Sequence, residues 1–514
     1  MTLPDSHAGG EPASLLRNVA LNVGSRVALG IVGLVTIPVL VHRLGTAAFG
    51  VYAVSISLTG LTSIFDLGLT AAFVTQLAAA RRAGDLALVR RIVRTALTAF
   101  LCLGVLMAGA VCAGTPWLTT SLLHLSSPLL GSAQVALLLT AAGLGLNLWL
   151  SALDAIPTAL ERYDIVATRL SVLSLAAAVV SLGYAVTGGG LVGLVAINVV
   201  ASGVGVVAFY PIAHRLLPNV GLVPGMSRDA MRALLHFSLY KFAGTASAAA
   251  VFRFDQLAIG ALMGVRATGL YAVPSTLLSR MLTFVASVAA PFFPRVSRTR
   301  NETLELRRLY LLGSRLVALV ALPIAAVLAT APHAILAAWI GGEEGRVVAD
   351  AAAPAMRWLA LAFALQSVAA IPALFCEATG RPWINNSFAV ASLAIHIPLF
   401  FLLVPLLGLE GAGVALLVNS LVQTVPFVVV ATRRVVGVPL GELVMAALAR
   451  PAAAAAAPAL LTAAASRFVS GRTTLLGLCA AAGFSYLAAA TVLGAITPAD
   501  ISGVRRALSR IRRS

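Results

Sequence analysis

The residues best equipped for chemistry are ten ionisable side chains set inside long apolar runs: Arg26, Asp66, Asp154, Lys241, Arg253, Asp255, Arg280, Arg315, Arg357 and His396. Six are permanent cations and three are acids, so a cavity built from them suits an anionic cargo, whose paired oxygens arginine can meet bidentately. A cation exporter needs the opposite excess. Catalytic patterns are missing: the sole lysine, Lys241, sits in "LYKFAG", which rules out a Walker A phosphate loop, and no HExxH or nucleophile-elbow context occurs. The reading is therefore of a non-enzyme, with no catalytic residue, metal ligand set or cofactor. Cys102, Cys112, Cys376 and Cys479 lack CxxC or CxxH spacing and read as packing residues.

Helical rise sorts these groups by depth. Arg26 falls about 15 Å into its apolar run and Arg280 about 21 Å into another, both near mid-depth. Lys241 is roughly 9 Å in from one end and Arg253 two-thirds of the way along the same run. Arg26, Lys241 and Arg253 thus form a ladder at staggered heights. Asp255 is two residues from Arg253, so it faces another side and can pair with a different helix or couple to a proton. Asp66, before Gly68, fits ion coupling or a helix cap, and Asp154 fits an inner turn. Arg315 and Arg357 lie within two turns of a helix end and can snorkel. His396, beside Pro398, fits a core histidine at a kink.

The elements that carry these residues follow from composition. The chain is 60% hydrophobic and only 11% charged, which places it among integral membrane proteins. Apolar runs occupy 17–42, 48–72, 92–114, 133–155, 165–187, 190–213, 235–263, 266–293, 309–331, 353–376, 384–408, 411–432, 449–467 and 474–496. The predicted fold class is an all-α polytopic membrane protein of about 14 transmembrane helices. The polar start followed by a run of about 25 residues fits a first span better than a cleavable signal peptide. With the N-terminus inside, about 25 arginines fall in cytoplasmic segments and about five outside, so both termini are expected in the cytoplasm. The arginines are spread over many short loops as topology signals, which excludes nucleic acid as a partner. The tail "VRRALSRIRRS" fits a topology anchor, or a short helix on anionic headgroups.

A ten-residue phrase occurs twice. "GTAAFGVYAV" begins at Gly45 and "GVRATGLYAV" at Gly264, 219 residues later, with six positions identical. That offset spans six helices, an even number, which predicts two six-helix lobes related as a parallel repeat plus two C-terminal helices. The expected division is 1–16 as a cytoplasmic N-terminal tail, 17–213 as the N-lobe, 214–234 as an inter-lobe linker, 235–432 as the C-lobe, 433–496 as the extra helices and 497–514 as a basic tail. Each phrase is expected at an outer turn of four or five residues shaped by Gly45 or Gly264. Gly50 and Gly269 allow close packing, and Tyr52 and Tyr271 stand at the aromatic interface depth.

Three stretches carry a family resemblance: "IPVLVHRLGTAAFGVYAVSISLTGLTSIFDLGLTAAF", "FDQLAIGALMGVRATGLYAVPSTL" with "APFFPRVSR", and "ERYDIVATRLSVLSL". Over about residues 15–435 the chain resembles the polysaccharide transporters, or Wzx-type oligosaccharide flippases, of the MATE/MOP exporter superfamily. It departs from that pattern at Val74 and Thr75, where a basic residue is expected. The resemblance implies alternating access by two lobes that moves undecaprenyl-diphosphate-linked oligosaccharide across the cytoplasmic membrane for cell-surface polysaccharide. Under it, Arg26, Lys241, Arg253 and Arg280 meet the diphosphate, Asp255 and Asp66 are candidates for ion coupling, and Asn198, Asn419 and Gln423 either contact sugar hydroxyls or hold helices together. Expected partners are the lipid-linked substrate, membrane lipids, a polysaccharide polymerase and glycosyltransferases. The alternatives are a peptidoglycan-precursor flippase, a multidrug/cation antiporter of the same superfamily, and a transport-inactive assembly scaffold.

Overall fold

A computed structural model describes the backbone of residues 11–496 apart from 124, 126 and 219. The side chains at 11–29, 31, 63, 163, 237 and 239–252 lie outside the described residues, as do the two chain ends. Among the described residues every regular element is helical and there is no strand. A chain this apolar has little choice, because in hydrocarbon each backbone N–H and C=O must be satisfied within its own segment.

Twelve helices among the described residues are long and apolar enough to cross a membrane, against the expected fourteen. The difference lies in two places. The runs 17–42 and 48–72 belong partly to one continuous element, Glu11–Gly60, kinked at Gly45. Beyond it the chain breaks at Leu67 and Gly68, both with positive φ, before Leu69–Arg82 resumes. The run 235–263 falls in Arg228–Met263, whose central side chains are outside the described set.

The repeat is plain in the packing. In the first half Ser127–Ala159 packs on Leu86–Trp117 and on Leu191–Leu216, while Tyr163–Val186 lies on Glu11–Gly60. In the second half Gly342–Val368 packs on Thr303–Thr330 and on Leu409–Val430, while Pro382–Leu407 lies on Arg228–Met263. Under the 219-residue shift the start of each of these helices falls within four residues of the start of its counterpart.

The turn in each phrase is shorter than the expected four or five residues: a single glycine makes it. Gly45 (φ 73°, ψ 164°) and Gly264 (φ 83°, ψ 171°) share one conformation that L side chains seldom adopt. The two phrases then pack against each other. A Cβ on Gly50 would drive into the carbonyl oxygen of Val265, and one on Gly269 into that of Thr46. Two helices from opposite halves therefore cross with backbone against backbone.

Buried apolar residues divide into one shared core and two separate ones. The shared core joins Leu40–Leu58 residues of the first half to Leu270–Val273, Ala349–Phe363 and Phe400–Leu416 residues of the second, at the end carrying Gly45 and Gly264. At the opposite end the first half has its own core around Phe73, Leu97 and Phe209, and the second half another around Tyr310, Phe375 and Leu443. The halves share their largest core at the Gly45 and Gly264 end. At the other end they meet, among the described residues, chiefly along Arg228–Met263, which packs on Leu69–Arg82 and places Leu234 in the first half's core, with Ser238 Oγ donating to the Leu67 carbonyl. The last helices belong to the second half alone: Arg307 makes a two-point ion pair with Glu442, Thr330 and Thr462 share a 2.7 Å hydrogen bond, and Arg472 donates to the Ile340 carbonyl at 2.7 Å.

The glycine crossing is testable. Gly50→Ala and Gly269→Ala force backbone apart and should each destabilise the folded protein by about 1–3 kcal/mol. Gly109→Ala, which meets nothing within 4 Å, should leave the thermal unfolding curve in detergent in place.

Candidate functional site at the junction of the halves

Two of the six intramembrane cations, Arg253 and Arg280, reach from the second half to the first below the shared core. Arg253 lies 11 residues before Gly264, about 16 Å down its helix, and Arg280 lies 16 residues after it, about 24 Å down the next. Both reach across to the first half. Arg253 covers Gly60, where a Cβ would sit 2.5 Å from its Nε. Arg280 lies along Gly33, where a Cβ would sit 3.5 Å from its guanidinium. The glycines leave room that larger residues would close. Arg280 is close enough for its charge to repel that of Arg253. Among the described residues neither arginine enters an ion pair. Arg26 and Lys241 have side chains outside the described residues; Arg26 is seven residues before Gly33, two helical turns along the same helix.

The acids are committed elsewhere. Asp255 is buried and accepts from Tyr271 Oη at 2.9 Å, and its other oxygen lies 2.7 Å from His396 Nε2. Asp66 accepts from the Thr70 amide at 3.0 Å and so caps the resumed helix. Asp154 forms an ion pair with Arg169, whose guanidinium also lies 5.0 Å from the centre of the Phe209 ring. This corrects the reading of Asp154 as a turn residue: it joins two helices inside the first half. Arg253 and Asp255 do point to different sides of their helix, as their spacing requires.

The polar residues assigned to sugar contacts mostly satisfy the protein itself. Asn198 Nδ2 donates to the Leu194 carbonyl at 2.9 Å, and its side chain also meets Tyr52. Asn419 is buried and donates to Ser392 Oγ at 2.8 Å, while Gln423 accepts from Thr424 at 3.0 Å. The interface placement of Tyr52 and Tyr271 is likewise overturned, because both rings are in the shared core. Tyr271 and His396 are the residues whose partnership with Asp255 the sequence did not disclose. One usable signal existed: Asp255 is nine residues before Gly264 and Tyr271 seven after it, so a sharp turn there sets them at similar depth. His396 is 141 residues from Asp255 and offers no such local clue.

Next to Asp255, Gln256 faces the other half. Its side-chain oxygen accepts from Ser57 Oγ in a short contact, and its Nε2 donates to Ser275 Oγ at 3.2 Å. Two shallow cavities lie away from this region, one of about 450 Å³ bordered by Arg266 and Glu410 and one of about 460 Å³ bordered by Gln76, Arg91 and Asp229; neither includes Arg253, Arg280 or Asp255. Among the described residues no cluster of three or more His, Cys, Asp or Glu could hold a metal ion.

The fold defined by this geometry is that of the MATE/MOP transporters. Lipid II flippase MurJ in an inward closed conformation superposes with a TM-score of 0.72, covering 92% of this chain and 98% of that one at 10% identity. An inward-facing multidrug resistance MATE family transporter of the MOP superfamily gives 0.61, covering 79% and 98% at 16% identity. The family model for a polysaccharide biosynthesis protein matches residues 39–343, more than half of the sequence, and the chain belongs to that family. A curated relative, named "Putative O-antigen transporter" and from Shigella flexneri, is 23% identical over 410 residues, covering 78% of this chain and 94% of its own length. The protein is therefore a multi-pass membrane transporter of the polysaccharide biosynthesis type.

The Asp154–Arg169 pair predicts a non-additive result. Arg169→Leu alone strands a carboxylate among apolar helices and should cost roughly 3 kcal/mol. Replacing both residues by leucine should cost less than that single change, read as thermal unfolding of the purified variants.

Proposed function

We propose that this chain is a flippase for lipid-linked oligosaccharide, carrying an undecaprenyl-diphosphate head group across the cytoplasmic membrane by alternating access, in the synthesis of cell-surface polysaccharide. The observation that carries this reading is the pair Arg253 and Arg280, set at mid-depth between the two halves with no carboxylate partner among the described residues. Holding two like charges together in a cleft of low dielectric is costly unless an anion joins them. A diphosphate supplies adjacent oxygens that two guanidinium forks can share.

Arg26 and Lys241 lie on the helices that carry Gly33 and Arg253, farther from the Gly45 and Gly264 end, and we assign them to the same head group. By the arginine distribution the end opposite Gly45 and Gly264 faces the cytoplasm and both termini lie there, so the substrate enters between the cores of the two halves. The lipid tail stays in the bilayer while the head moves along the cleft. Reorientation then opens the shared-core end and closes the other, with polysaccharide polymerase and glycosyltransferases working on either side of the step. A sugar role for Asn198, Asn419 or Gln423 would require these residues to exchange their present partners.

Peptidoglycan-precursor transport is the second reading, supported by the fold likeness to a lipid II flippase over 92% of the chain. Its head group is also a diphosphate, so the same arginines would serve. A cation antiporter needs free acids in the cleft, and the three intramembrane acids are occupied by Thr70, Arg169 and the Tyr271–His396 pair.

Arg253→Gln and Arg280→Gln should each lower surface polysaccharide at least about tenfold, the loss of one charge-assisted contact, with the protein still inserted at wild-type level. Unchanged polysaccharide in properly inserted variants would overturn the anion-cleft reading and favour a scaffold. Restoration of wall synthesis, in place of surface polysaccharide, in cells lacking their own lipid II flippase would favour the second reading.

A further inference from the structure

The buried group Asp255–Tyr271–His396 takes no part in holding the diphosphate, yet Asp255 is two residues from Arg253 on the same helix. It draws on three helices of the second half: Arg228–Met263, Val265–Ala289 and Pro382–Leu407. His396 is fully buried, and Phe254 and Phe400 flank it with ring centroids 6.4 and 5.9 Å away. Its Nε2 is engaged by Asp255, whereas Nδ1 is buried and has no hydrogen-bond partner among the described residues. An imidazole fully enclosed by aromatic rings, with one nitrogen bonded and the other idle, is poorly explained as packing alone.

The proton count explains it. Asp255 already accepts one hydrogen bond from Tyr271. With one further proton shared between carboxylate and imidazole the pair is neutral, as an apolar surrounding favours. Without it a single negative charge remains. In the neutral pair Nε2–H points to Asp255 and Nδ1 carries the exchangeable proton. Loss of that proton breaks the Nδ1–H bond, leaves its electron pair on Nδ1 and passes H⁺ to water. The idle buried atom is therefore the atom at which the proton arrives and departs.

Among the described residues no other charged group bonds to the site. Tyr271 is the titratable group facing Asp255 from Val265–Ala289, and His396 is the one facing it from Pro382–Leu407. On its own helix Arg253 turns to Gly60. From the first half, Tyr52 is held by Asn198 and Asp66 caps at Thr70, and neither bonds Asp255. Position relates the site to movement: Arg253 holds the cleft, Asp255 the proton pair and Gln256 the cross-half bond to Ser57, all within one turn of one helix.

We infer that Asp255, Tyr271 and His396 form a proton-binding site, with His396 Nδ1 as the exchanging atom, whose loading and unloading are coupled to reorientation of the two halves. It deepens the flippase reading and rests on it for the cargo. Because Nδ1 is sealed in this conformation, exchange with water requires the helices around it to part, which ties proton access to the transport cycle.

The test uses the full chain in proteoliposomes enclosing a pH-sensitive dye, with undecaprenyl diphosphate as the probe lipid. Wild type should move protons under an imposed pH gradient. His396→Asn and Asp255→Asn should reduce that movement at least tenfold while binding undecaprenyl diphosphate within twofold of wild type. Tyr271→Phe, which keeps the ring and removes one donor to the carboxylate, should raise the midpoint pH of proton movement by roughly one unit; a purely structural hydroxyl would leave it in place. Proton movement at wild-type rate in both Asp255→Asn and His396→Asn, or none in wild type, overturns the proton site. Proton movement that depends on His396 in a protein that never carries undecaprenyl diphosphate across would uphold the proton site and refute the cargo.

Discussion

The structure turns on one close contact, the crossing of two helices at Gly50 and Gly269, where neither backbone leaves space for a methyl group. Without a hydrophobic effect between helices in lipid, association depends on close packing, and small residues are what allow it. That crossing joins the two halves at one end, and the largest core grows around it. At the other end each half has its own core, and among the described residues the halves touch there chiefly through Arg228–Met263, whose Leu234 enters the first half's core. A two-fold repeated chain is thus joined broadly at one end and narrowly at the other.

Within that frame, the cost of charge in a low-dielectric medium decides where polar groups go. Asp154 and Arg169 neutralise each other inside the first half, and Asp255 is taken up by Tyr271 and His396 inside the second. Arg253 and Arg280 are left facing the opposite half across Gly60 and Gly33. Groups paired within a half hold that half together, whereas Arg253 and Arg280, with no ion pair among the described residues, stand between the halves. Gly60 matters here too, since a Cβ there would sit 2.5 Å from the Arg253 guanidinium, whereas one at Gly33 would rest in ordinary contact with Arg280 at 3.5 Å.

Much of this was legible in the sequence. The repeat of "GTAAFGVYAV" gave the 219-residue offset that the helices obey, and hydropathy located most of the spans because lipid enforces long apolar segments. Depth along the apolar runs singled out Arg253 and Arg280, whose side chains lie against Gly60 and Gly33 of the other half. What escaped detection depends on side-chain direction across long separations. Nothing local links Asp255 to His396, 141 residues away, or Ser57 to Gln256, 199 residues away. The tyrosines were misplaced because their depth below a turn suggested the lipid interface, whereas the turn is one residue long and the helices that follow it are buried against each other. Asp154 was misread for a related reason: its position near a helix end hid a partner on the next helix.

The central claim is that this protein carries a diphosphate-linked lipid from one leaflet to the other through the Arg253–Arg280 cleft. The most direct measurement is the rate at which a fluorescent undecaprenyl-diphosphate oligosaccharide in proteoliposomes becomes accessible to a quencher added outside. Wild-type protein should accelerate that exchange well above protein-free vesicles, and the double variant Arg253→Gln with Arg280→Gln should return it to the protein-free rate. Exchange at the wild-type rate in the double variant, or no acceleration by the wild type, would contradict the account.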